Sequence, residues 1–209
     1  YDKPDDNILG HKSFTGPSMQ GDFISLQVHR DVLKYRNLSS ENGHKWVATM
    51  DEPYIKKHTY ADLDIWRKDN VWATFMAGGA GIEFYIGGGL DLRVQDFREY
   101  EEYYNTMAVA VNFFKKNIPF WQLEPDDDFV GNAWTLKKDG SFYLLYFKDG
   151  GTSEVNLPAG DYTISWFDPR NNTLKNNETK VLTGGSSQSL GNPPGALGSD
   201  WACLIEKRN

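Results

Sequence analysis

Two adjacent carboxylates, Asp51 and Glu52, follow the apolar run KWVATM (45–50), and Pro53 stops that run. The run reads as a strand. In an α/β barrel the reacting groups sit where strands open into loops at their C-terminal ends. Glu52 is therefore the leading candidate for a catalytic carboxylate. Two further strand ends carry polar groups. Gln27 and His29 fall on one face of the run DFISLQVH (22–29), because strand side chains alternate. Glu83 and Tyr85 share a face in IEFYIG (82–87), whereas Asp51 and Glu52 point to opposite faces. Carboxylates serve as acid, base or nucleophile, and His, Gln and Tyr hold hydroxyls. The set reads as a sugar-processing site. Each member also has a structural reading: Glu52 as a turn cap before Pro53, Asp51 as a supporting acid, His29 as a satisfied core histidine, Gln27 as packing, and Glu83 and Tyr85 at even weight.

The elements that must position these residues alternate along the first half of the chain. Residues 1–21 are loop-like. The strand 22–29 is followed by a short helix over 30–42, with Val32, Leu33 and Tyr35 apolar, ending at Gly43. After the strand 45–50, a helical spacing of Leu63, Trp66, Val71, Phe75 and Met76 predicts a helix over 59–79. Thr59 is its N-cap, and Gly78 and Gly79 stop it. The strand 82–87 leads to a helix over 96–117, with one apolar stripe through Phe97, Tyr100, Tyr104, Met107, Ala108, Val111 and Phe114. Strand–helix units of roughly 30 residues are the mark of a parallel sheet. Residues 119–129 then read as a linker with two prolines and an acid cluster. Short alternating runs between KDGS, KDGG and PAGD turns fill 130–209 and predict a small all-β sandwich. The expected division is 1–118, a linker 119–129, and 130–209.

Composition narrows the partners. The net charge of the 209 residues is −7, and each Lys pair lies in mixed surroundings, which argues against nucleic acid or an anionic membrane. A weakly charged ligand fits better. No apolar run approaches the ~18 residues of a spanning helix. Cys203 stands alone, which excludes an internal disulfide, and its alternating context reads as core. No His pair has metal-ligand spacing, and Asp126–Asp128 lacks the spacing of a calcium loop. The Gly-rich segment 78–89 lacks the strand-then-GxGxxG context of a nucleotide site. Neither a metal nor another cofactor is expected.

Four stretches together, SFTGPSMQ, KWVATMDEP, WRKDNVWATFMAGGAGIEFYIGG and LDLRVQDFREYEEYYNTM, resemble the C-terminal part of a bacterial glycoside hydrolase family of the clan A (β/α)8 kind with apiosidase-type relatives. The segment from FYLLYFKDGG to DWACLIEK resembles the small β-domain that follows the barrel there, which often carries a collagen-binding label. The resemblance implies that the strands are the sixth to eighth of a TIM barrel. It implies that Glu52, ending strand seven, is the nucleophile of a retaining enzyme, with Gln27, His29, Asp51, Glu83 and Tyr85 around the sugar. The acid/base would come from strand four, which is not in this chain, so a complementary N-terminal barrel segment is the expected partner. The substrate would be a plant or algal polysaccharide or oligosaccharide, and the location secreted or periplasmic. The competing reading is a non-catalytic carbohydrate- or matrix-binding protein that uses the aromatics of its β-module.

Overall fold

The structure is a computed structural model and describes residues 7–20, 27–52, 62–83 and 96–208, with the backbone alone at residues 20, 52, 97, 99 and 176–179. The chain divides into two compact units, with the boundary between Ala108 and Val109.

In the first unit three short strands, β1 (Ser18–Gln20), β2 (Thr49–Glu52) and β3 (Gly81–Ile82), form a parallel sheet in the order β1-β2-β3. Helix α1 (Val28–Glu41) joins the first pair. The second crossover is helical in three pieces: α2 (Leu63–Ile65), a π-helical stretch (Trp66–Trp72) and α3 (Ala73–Met76). The wide π turn buries Trp66, Arg67, Asn70, Val71 and Trp72 together. Side chains add bonds to carbonyls along it: Asn70 Nδ2 donates to Ile65 O (3.4 Å), and Thr74 Oγ1 donates to Asn70 O (2.8 Å).

Two glycines turn these helices back toward the sheet. At the end of α1, Gly43 N donates to Ser40 O and His44 N to Ser39 O, with Gly43 at φ 99°. At the end of α3, Gly78 N donates to Phe75 O and Gly79 N to Thr74 O, with Gly78 at φ 73°. Both are Schellman closures, in which a left-handed residue lets two amides cap the last carbonyls. Each leads within a few residues into the next parallel strand. Ser39 Oγ also accepts from Trp46 N (2.9 Å), which fixes the approach to β2.

Several boundaries differ from expectation. The first parallel strand lies at Ser18–Gln20, in the stretch read as loop, and Val28 and His29 already belong to α1. A three-residue strand has no alternation to read; pairing with β2 makes it a strand. The helix before β3 starts at Leu63, and its N-cap is Asp62, whose carboxylate accepts from Asp64 N (2.8 Å). Thr59 lies outside the described residues. Helix α4 (Glu101–Asn117), preceded by a 3-10 turn (Phe97–Tyr100), forms where expected. Its buried stripe, however, is Tyr103, Ala110, Phe113 and Phe114, while Tyr104 and Val111 are exposed. Apolar residues make up just over half of this helix, so composition alone left the core-facing side undecided.

The second unit is an antiparallel sheet of six strands in the order β4-β5-β6-β11-β8-β9 with a two-stranded ribbon, β10-β7. The strands are β4 (Glu124–Pro125), β5 (Trp134–Lys138), β6 (Phe142–Phe147), β7 (Glu154–Asn156), β8 (Asp161–Asp168), β9 (Thr173–Thr183), β10 (Ser187–Ser189) and β11 (Trp201–Lys207). Segment 119–129 is no free linker, because its β4 pairs with β5 at Glu124↔Lys137 and Pro125↔Leu136. The Gly/Ser/Pro loop after residue 183 likewise contains β10. One sheet face (Tyr143, Leu145, Ile164, Trp166, Cys203, Ile205) packs with Val155, Leu157 and Leu190 of the ribbon side. On the opposite face Phe113 stacks on Phe167 at 4.0 Å. With both faces covered, β6 is buried at every position, which explains its unbroken apolar sequence FYLLYF. Burial raises the Cys203 thiol far above its ordinary range. At the β8–β9 turn burial would raise the Asp168 carboxyl, but bonds from Arg170 and Asn171 hold it below its ordinary value. No described helix is long and apolar enough to cross a membrane.

Candidate functional site

The three parallel strands end along one edge of their sheet, and the acidic residues gather there. Gln20 closes β1 and pairs by backbone with Glu52, the last residue of β2. The register shifts between Met19 and Gln20, so Asp51 is the extra residue of a bulge on β2. On the other side Thr49 pairs with Gly81 and Met50 with Ile82, and Glu83 N donates to Met50 O at 2.9 Å. Glu83 therefore stands level with Asp51 on the neighbouring strand line. Below this edge the sheet is closed by Met19 and Met50, both buried. A row of carboxylate-bearing positions over an apolar layer is the arrangement in which an acid can act on a ligand while the layer beneath excludes water.

The predicted residues separate into those at this edge and those elsewhere. Glu52, Asp51 and Glu83 lie at the edge; Asp51 is half-buried and Glu83 exposed. The Glu52 carboxylate and all of Tyr85 lie outside what the structure describes. Gln27 and His29 do not share a strand face. Gln27 is the last residue of the connection between β1 and α1, and its carbonyl accepts from Asp31 N (2.9 Å). Its Oε1 is buried with no hydrogen-bond partner among the described residues. His29 lies in the first turn of α1, buried, with Nδ1 3.0 Å from Ala73 O. That geometry requires the Nδ1–H tautomer and ties α1 to α3. Gln20 was not singled out by the sequence; as the end of a three-residue strand it carried no periodic signal. Among the described residues no group of three His, Cys, Asp or Glu gathers as a metal site.

The architecture is similar to that of solved glycoside hydrolases. A protein described as a glycoside hydrolase aligns with a TM-score of 0.66 at 14% identity, over 93% of this chain and 51% of its own. A glycoside hydrolase family 5 protein from Bacteroides vulgatus aligns with a TM-score of 0.68 at 16% identity, over 93% of this chain and 50% of its own. The chain thus spans about half the length of these structures. At such identities the likeness is one of fold: a mixed helix-and-sheet glycoside hydrolase fold. No protein-family model and no curated protein matches the sequence.

Proposed function

We propose that this chain is the C-terminal share of a retaining glycoside hydrolase, with Glu52 as nucleophile and with its (β/α)8 barrel completed by an N-terminal segment. One observation carries the reading. Glu52 ends the middle strand of a parallel sheet, at the edge where Asp51 and Glu83 also stand, in a fold similar to glycoside hydrolases. The resemblance of KWVATMDEP and its companion stretches to apiosidase-type relatives supports strand seven for β2 and a plant or algal saccharide as substrate. It also favours an exported enzyme.

In the proposed reaction the Glu52 carboxylate attacks the anomeric carbon as the glycosidic C–O bond breaks. The leaving oxygen takes a proton from an acid on the completing segment, roughly 5–5.5 Å from Glu52. The same acid, now a base, removes a proton from the water that cleaves the glycosyl ester and frees Glu52. Asp51, Glu83, Gln27 and Tyr85 hold sugar hydroxyls. His29, turned into the helix layer, orients the α1 end rather than the sugar.

The test is Glu52→Gln in the complemented enzyme. Turnover of the glycoside falls by about three orders of magnitude or more while folding is unchanged. A fluorinated glycoside that traps the ester labels Glu52 in the native enzyme. Substantial activity in the variant, or a label elsewhere, overturns the assignment. Saccharide binding with no hydrolysis by the completed barrel would favour the non-catalytic reading.

A further inference from the structure

We propose that the second unit carries its own sugar site, a cleft of about 400 Å³ lined by Asp127, Asn132, Trp134, Tyr146, Lys148 and Asp149, which takes a residue of a neutral polysaccharide. The volume falls in the range of small-molecule sites, about 300–1,000 Å³. Its lining residues all lie between 127 and 149, within the second unit.

The floor is aromatic and held in place. Trp134 opens β5 directly across from Tyr146 of β6, with the rings stacked at 6.0 Å and 29°. Tyr146 is fully buried, and its hydroxyl donates to Asp200 Oδ2 at 2.8 Å; Asp200 is itself fully buried. Lys148 Nζ lies over the indole, 5.8 Å from its centroid. Trp134 remains half-buried, so part of its ring borders the cleft.

The wall is tied down as well. It is the loop between β4 and β5. Asp126 N donates to Thr135 O (2.9 Å), Thr135 N to Asp127 Oδ1 (3.3 Å), and Asn132 Nδ2 to Thr152 O (3.0 Å). A pre-formed cleft loses little conformational freedom when a ligand binds.

The chemistry of the lining selects the ligand class. An indole offers a flat apolar patch that suits the C–H face of a pyranose. The exposed Asp149 carboxylate accepts hydrogen bonds, and the Asn132 amide, which spends one N–H on Thr152 O, can donate with its other, matching hydroxyls that do both. Two acids against one lysine leave the cleft net negative, which disfavours uronates, sulfated sugars and phosphates.

A rival platform lies at the other end of β5. Trp121 is 83% exposed and is not among the residues lining this cleft. Affinity electrophoresis of the whole 209-residue chain through gels of xylan, mannan, mixed-linkage β-glucan, galactan, arabinan and polygalacturonate separates the possibilities. At least one neutral polymer retards the native chain. Trp134→Ala weakens that retardation tenfold or more, and the exposed Asp149→Ala weakens it without altering the circular dichroism spectrum. Glu52→Gln and Trp121→Ala leave it intact, so loss of hydrolysis and loss of this site are separately visible. Retardation by polygalacturonate alone, by no polymer, or lost with Trp121→Ala instead of Trp134→Ala and Asp149→Ala overturns the proposal.

Discussion

His29 and Glu52 are both polar residues beside a short parallel sheet, yet their surroundings give them different work. His29 is buried, and its ring N–H meets a carbonyl of another helix. Ala73 O also accepts from Ala77 N (3.2 Å), so removing the ring costs one net hydrogen bond, about 0.5–1.5 kcal/mol, rather than an orphaned carbonyl. His29→Ala is therefore expected to lower unfolding stability by about that amount, read from urea denaturation. In the complemented enzyme its effect on KM should be small beside that of Asp51→Ala or Glu83→Ala. A large KM increase with unchanged stability would return His29 to the sugar site. Glu52 differs because its backbone ends a strand at the open edge, where the proposed function assigns it to chemistry rather than to packing. Sequence pattern located Glu52 through the apolar run and the proline that stops it. The same pattern could not separate the helical His29 from a strand-end histidine, because LQVH fits either period over so few residues.

At the scale of elements, two helix ends decide where β2 and β3 begin. Gly43 has φ 99°, and a Cβ added there would meet nothing within 4 Å, so the cost of a side chain is backbone strain alone. Gly43→Ala is expected to cost about 1–2 kcal/mol, and Gly43→Asn less, because Asn tolerates the left-handed region. Denaturation of the two variants side by side checks this; equal losses would mean that φ is not the source. Such glycines were legible in the sequence because a helix must close its last carbonyls locally. The buried half of α4 was not. Tyr103, Ala110 and Phe113 face the core while Tyr104 and Val111 do not, and both sets are apolar at helical spacing. What packs against a helix selects between such stripes, and the partner is distant in sequence. The same holds for β4 and β10, two and three residues long, which are strands because β5 and β7 lie beside them.

For the whole molecule, the two units differ in how their backbones are secured. β6 and β11 are paired on both sides, with β6 buried throughout and β11 buried over Trp201, Ala202, Cys203, Leu204 and Ile205, whereas among the described residues β1 and β3 pair on one side only. Hydrogen exchange should therefore be slowest in β6 and β11 and at least about tenfold faster in β1–β3. Open sheet edges also invite further strands. If an N-terminal segment completes the barrel, adding it slows exchange at β1 and β3 and brings glycoside turnover. Unchanged exchange with no turnover would remove the completion idea.

The sequence alone determined what short-range physics governs: the glycine stops of α1 and α3, the extent of α4, the turn-separated strands after residue 130, the solitary core cysteine, and an acidic pair at a strand end. Tertiary structure alone decided that Ser18–Gln20 is the first parallel strand, that Gln20 stands beside Glu52, that His29 joins two helices, and that Trp134 and the 126–133 loop border one cleft. Caps and turns are settled by hydrogen bonds between residues a few positions apart. Strand partners, the buried side of a helix and the walls of a cleft depend on chain segments that meet only after folding.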